Sequence, residues 1–92
     1  MANAIVTLSI MPESPSVDLK KLEDAANKII DRMHGPGDRK VEIEPIAFGL
    51  KKLKVTFVMD EKKGSPDPVA EEVAKVKGVQ SATISDVRRA IG

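Results

Sequence analysis

Apolar residues in this chain recur at strand spacing, then helical spacing, then strand spacing twice, then helical, then strand again, and few folds accommodate that order. Asn3 to Met11 is rich in β-branched and apolar types on both parities, Ala4, Val6, Leu8 and Ile10 against Ile5, Thr7, Ser9 and Met11, the pattern of a central strand. Met11-Pro12-Glu13-Ser14-Pro15-Ser16 supports neither ladder nor helix. Asp18 is placed to cap a helix in which Leu19, Leu22, Ala26, Ile29, Ile30 and Met33 share a face, and His34-Gly35-Pro36-Gly37 stops it. From Asp38 to Ile46, Val41 and Ile43 alternate with charges, a half-exposed strand. After the loop Pro45–Gly49, the run Leu50, Leu53, Val55, Phe57 and Met59 predicts the second arm of a hairpin. Pro66 and Pro68 suit a first helical turn capped by Ser65 or Asp67, with Val69, Val73 and Val76 on one face, and Gly78 ends this helix. Val79 to Val87 is the last strand, ahead of Arg88-Arg89.

The order β-α-β-β-α-β packs best as an α+β, ferredoxin-like sandwich, with two helices on one face of a four-stranded antiparallel sheet and the other face open. The first and third strands, apolar along their length, are expected at its centre, with Leu19, Leu22, Ile29, Val69, Val73 and Val76 supplying the helix contacts. At 92 residues the chain is read as a single domain, 1–92, and the architecture alone leaves the function open.

Composition removes several function classes. Without cysteine there is no disulfide, thiolate nucleophile or cysteine metal site, which fits a reducing cytosol. The amino terminus lacks the basic start and apolar run of a signal peptide, and no stretch approaches the roughly 20 apolar residues of a membrane span, so the expected location is cytoplasmic. Fifteen basic and fourteen acidic residues leave a net charge of +1, too little to argue for tracking phosphates. No cofactor or resident metal is expected. His34, the only histidine, reads as a surface residue where a helix dipole favours a cation. Glu42 and Glu44 share a strand face and read as exposed rather than as an acid/base pair, and no serine has a base partner in sequence. An RNA reader on this architecture stacks bases on strand aromatics, and the single strand aromatic, Phe57, shares parity with core positions. A small-molecule regulatory domain is the other alternative on this fold.

Two features stand apart. Pro45-Ile46-Ala47-Phe48-Gly49-Leu50 is an apolar loop with an aromatic at a hairpin tip, where polar residues ordinarily serve. Such a phenylalanine either folds back on the core or stands out as a docking anchor. Arg88-Arg89 is either a solvated end or a positive probe for an anionic or metal site on another molecule.

Glu44-Pro45-Ile46-Ala47-Phe48-Gly49-Leu50-Lys51-Lys52-Leu53 resembles the signature of the guanine-nucleotide exchange domain family of elongation factor 1-beta, as do Val79-Gln80-Ser81 and Asp86-Val87-Arg88-Arg89. Met11-Pro12-Glu13-Ser14-Pro15 is similar to the opening of the family's stand-alone archaeal members, whose length this chain matches. The resemblance implies the ferredoxin-like fold, elongation factor 1-alpha as a GTPase partner, and exchange of GDP for GTP on it, with no covalent chemistry, nucleic acid or membrane and with the chain acting as a monomer. It implies Phe48 as the loop anchor, with Pro45, Ile46 and Gly49 around it. A lysine near the carboxyl terminus of eukaryotic relatives reaches the partner's magnesium site, and the matching position is Arg89, with Arg88 beside it expected to contact the partner. A flat guanidinium there replaces a compact ammonium, and Ala90, Ile91 and Gly92 follow.

Overall fold

The computed structural model describes residues 3–90. In chain order these form β1 (Asn3–Pro12), α1 (Leu19–His34), β2 (Arg39–Pro45), β3 (Lys51–Asp60), α2 (Asp67–Ala74) and β4 (Val79–Ala90), with single 3₁₀ turns at Ala47–Gly49 and Glu61–Lys63. The sheet order is β2-β3-β1-β4, antiparallel throughout, with β3 and β1 central as their composition implies. This is the ferredoxin-like sandwich.

Alternation places the core. Ala4, Val6, Leu8 and Ile10 of β1 lie opposite Met59, Phe57, Val55 and Leu53 of β3, and all eight are buried. They meet Leu22, Ala26 and Ile30 of α1 and Val69, Ala70 and Val73 of α2, with Leu19, Ile29 and Val76 packed at the margin. The other parity of β1, Ile5, Thr7, Ser9 and Met11, faces away from the helices, so its apolar members do not mark a second covered face.

Local chemistry sets the helix ends. The Lys20 N–H donates to Asp18 Oδ1 at 2.9 Å, and Gly35, at φ 84°, closes α1. At α2 the Ser65 hydroxyl accepts from the Asp67 N–H at 3.1 Å, and Asp67 itself is the first residue of the helix and does not cap it. The α2 helix stops at Ala74, earlier than Gly78, and that glycine instead lies immediately before β4. Its φ is 95° and a Cβ there would lie 3.2 Å from Val17 Cγ1, so only glycine fits without displacing the β1–α1 loop.

Arg39, half-buried at the start of β2, gathers the α1–β2 connection around its guanidinium. It donates to Asp31 Oδ1 at 2.6 Å, to Gly37 O at 3.0 Å and to Gly35 O at 3.2 Å, replacing partners the glycine- and proline-rich connection would otherwise find in water.

His34 departs from its sequence reading. Its ring stacks on Phe57, centroids 5.8 Å apart and planes at 28°, and Nδ1 has no hydrogen-bond partner among the described residues. It is not an exposed cation: burial, then the charges of Lys63 and Arg39, push its pKa below the usual imidazole value of 6.5. The unfolded chain therefore takes up this proton first as pH falls, and the stability that neutral His34 contributes is present above pH 6.5 and lost below it. The melting temperature should accordingly drop between pH 7 and pH 5 in the parent protein and stay nearly level in His34→Gln. Parallel curves for the two proteins would refute this assignment.

The fourth strand runs through the arginines instead of ending before them, because Asn3, Ala4 and Ile5 of β1 supply ladder partners for Ala90, Arg89 and Arg88. The pairing steps from Thr7↔Asp86 to Leu8↔Ile84, which leaves Ser85 as the extra residue of a β-bulge. Its hydroxyl donates to Thr7 O at 3.3 Å and accepts from Ser9 Oγ at 2.8 Å. Past the bulge the parity inverts, so that Ile84 and Val87 fall on the helix side together.

Candidate functional site: an exposed apolar tip and a distant guanidinium

The β2–β3 hairpin closes with Pro45 opposite Lys51, after which Ile46 N–H donates to Leu50 O at 2.8 Å and Leu50 N–H to Ala47 O at 3.3 Å. These bonds pinch off a three-residue tip, Ala47-Phe48-Gly49. The turn requires two successive left-handed residues. Gly49, at φ 76°, adopts this freely, but Phe48 sits at φ 62° and ψ 30°, an uncommon conformation for a bulky side chain. The ring does not fold back on the core and is 94% exposed. Ile46, just before the tip, and Ile43, two residues before the end of β2, are also exposed. An aromatic held in a strained backbone with its ring in water gains nothing for the isolated fold, which points to a role in binding.

Behind the tip, the proline-rich β1–α1 loop approaches Gly49 through Pro15, and a groove of about 410 Å³ runs between them, lined by Pro12, Pro15, Val17, Leu19, Gly49 and Lys51.

At the other end of the sheet the two arginines, adjacent in sequence, face opposite ways. Arg88 pairs with Ile5 on the open face and bonds Asp86 through Nε at 2.9 Å. Arg89 pairs with Ala4 on the helix side, and its Nε donates at 2.8 Å to Oε1 of Glu61, in the 3₁₀ turn after β3. They are therefore not one basic patch. The Ile91-Gly92 part of the tail lies outside the described residues. From Lys51 beside the tip to Met59 in the row of Ala4 and Arg89, β3 covers about 26 Å at about 3.3 Å per residue. Pro45, Ile46, Phe48 and Gly49 are thus brought together, and both arginines are kept apart from them.

Between the two ends the open face carries lysine–glutamate pairs on its β2–β3 side, while Ile5 and Val58, opposite each other on β1 and β3, expose apolar surface near Arg88. Lys54 lies 3.0 Å and Lys52 4.0 Å from the Glu44 carboxylate, and Lys40 lies 3.7 Å from Glu42. The hydrogen bond from Lys54 and its charge hold the Glu44 carboxyl below its ordinary range, so this glutamate is a charged partner of lysines and no proton donor. Neither phenylalanine projects from this face. Among the described residues no group of three or more histidine or acidic side chains could hold a metal, and no helix is long and apolar enough to cross a membrane.

The family model for the EF-1 guanine nucleotide exchange domain matches residues 5–90. The chain belongs to that family. It is 38% identical to elongation factor 1-beta of Methanosphaera stadtmanae over 97% of its own length and 98% of the relative's. It is 39% identical to elongation factor 1-beta of Methanobrevibacter smithii, with the same coverage of each chain. A de novo designed protein, Foldit4, superposes with a TM-score of 0.66 over 98% of each chain at 14% identity, a likeness of fold alone. Within an EF-1 exchange domain the exposed tip and the far guanidinium become the two features to account for. Glu61 was not singled out from sequence. It meets Arg89 across a separation of 28 residues, and no local spacing or periodicity marks such a pair.

Proposed function

We propose that the whole chain acts as one exchange unit that docks, as a single copy, on the GTPase elongation factor 1-alpha and speeds replacement of its GDP by GTP, with no bond broken in this chain and no cofactor or nucleic acid taking part. The observation that carries the reading is Phe48, fully presented in a left-handed turn. In this reading Phe48, with Pro45, Ile46 and Gly49, grips one part of the partner. Arg89, about 26 Å away along the sheet, reaches toward the site where the partner holds its nucleotide.

A GTPase holds nucleotide largely through phosphate contacts and a magnesium ion, so a cation entering that site weakens the hold. By linkage, whatever factor docking takes from nucleotide affinity, nucleotide takes from docking. The GDP-bound partner therefore accepts the exchange factor weakly, loses GDP, and expels the factor when GTP binds.

The direct test is release of labelled GDP from purified elongation factor 1-alpha with and without this protein; equal rates would refute the reading. The arginines separate the mechanism further. At saturating protein, Arg89→Ala should slow GDP release more than it weakens complex formation. Arg88→Ala, on the opposite face, should leave the maximal rate within about twofold, an order-of-magnitude expectation for an exposed paired charge. The reverse result would move the active cation to the open face.

A further inference from the structure

Arg89 is not a loose positive end. Its stem starts on β4, and to reach Glu61 beyond β3 the side chain must cross the row Arg89–Ala4–Met59 on the helix-side face. Two strand spacings of about 4.8 Å each exceed the stem from Cα to Nε, so the Glu61 side chain closes the remaining distance. The intervening residue, Ala4, presents only a methyl and leaves that path open. Glu61 is itself fixed. It opens the 3₁₀ turn capped by Asp60, whose Oδ1 accepts from Lys62 N–H at 2.9 Å, and Gly64 at φ 89° closes the turn.

The geometry of the pair is specific. Only Nε of Arg89 is engaged, and among the described residues no hydrogen bond forms to its terminal nitrogens. A guanidinium has one donor at Nε and four at its fork. A carboxylate on Nε alone anchors the plane from the side and leaves the whole fork facing outward, with the side chain 72% exposed against 30% for Glu61. An arginine free in solvent would lose rotamer entropy on reaching a partner, and one already aimed loses less. As a surface ion pair this contact contributes little to the fold.

We infer that Glu61 is a positioning residue for the exchange step, holding the Arg89 guanidinium by its side so that the fork is presented to the anionic groups around the partner's nucleotide. The inference rests on the exchange reading above. Its test is GDP release from purified elongation factor 1-alpha at a series of concentrations of the full chain, giving the maximal rate and the half-saturating concentration for Glu61→Ala, Glu61→Gln and Arg89→Ala. Glu61→Ala should lower the maximal rate by roughly tenfold, with the half-saturating concentration within about twofold and the melting temperature unchanged. Glu61→Gln, which keeps an acceptor for Nε, should recover most of the rate.

A second readout needs no partner. The Arg89 Nε–H signal in nitrogen-15 NMR should be resolved and protected from exchange in the parent and in Glu61→Gln, and should be lost in Glu61→Ala. An unprotected Nε–H in the parent overturns the inference. So does a Glu61→Ala maximal rate equal to or above the parent's while Arg89→Ala is slow, a result that leaves the exchange reading standing. If Arg89→Ala is as fast as the parent, the inference falls together with the Arg89 step of the mechanism, while the parent's acceleration of GDP release leaves the exchange reading standing.

Discussion

Phe48→Ala should raise the concentration of this protein needed for half-maximal GDP release by about thirtyfold, the cost of deleting an interface anchor worth about 2 kcal/mol, and should leave its melting temperature unchanged. The ring is 94% exposed and touches none of the core, so its removal takes nothing from the folded monomer. Alanine still has to occupy the left-handed position at φ 62°, so the local strain is not relieved either. Phe48→Gly separates the two effects: it removes ring and strain together, and the same loss of exchange is expected with a melting temperature no lower than that of Phe48→Ala. A melting temperature that collapses in Phe48→Ala while exchange is intact would mean that the ring packs on the core in solution and docks nothing.

The other phenylalanine predicts the opposite outcome. Phe57 is 1% exposed, paired with Val6 across the two central strands and stacked on His34. Phe57→Ala should cost about 3–5 kcal/mol through lost burial and the cavity left behind. At about 4–8 °C per kcal/mol for a domain of this size, the melting temperature should fall by more than about 12 °C, a large part of the stability such a domain possesses. Exchange activity measured well below the new transition should be retained, because Phe57 is buried in the core and belongs to neither the hairpin tip nor the Arg89–Glu61 pair. A drop of only a few degrees would show that the core closes over the gap. Loss of exchange in fully folded Phe57→Ala would place the core in the docking pathway.

The architecture was legible because its determinants are local and periodic. The alternation in β3 and the helical spacing from Leu19 to Met33 depend on side chains within one element. Element ends were less legible: α2 stops before Gly78, and Pro12, expected to leave the ladder, pairs with Val79 at the end of β1. The hairpin tip was legible as an anomaly, an aromatic where a turn prefers polar residues. Whether Phe48 turned inward or outward was not, since that depends on the left-handed backbone the closed hairpin imposes. For His34, position at a helix end suggested a cation, and the neighbouring strand decided otherwise by covering the ring with Phe57.

Residue order determined that two arginines stand side by side near the end of the last strand. The fold decided which way each one faces. In an unbroken strand, parity counted from Ile84 would have put Arg88 on the helix side with the core residues and turned Arg89 to the open face. The bulge at Ser85, held by Thr7 O and Ser9 Oγ of the neighbouring strand, adds one residue to the count and inverts the assignment. Arg89 thereby comes to lie across Ala4 toward Glu61, and Arg88 is left beside Asp86 on the other face. A bulge is a property of two strands in register, so one strand's sequence cannot reveal it, and a shift of one residue is enough to exchange the roles of two identical side chains.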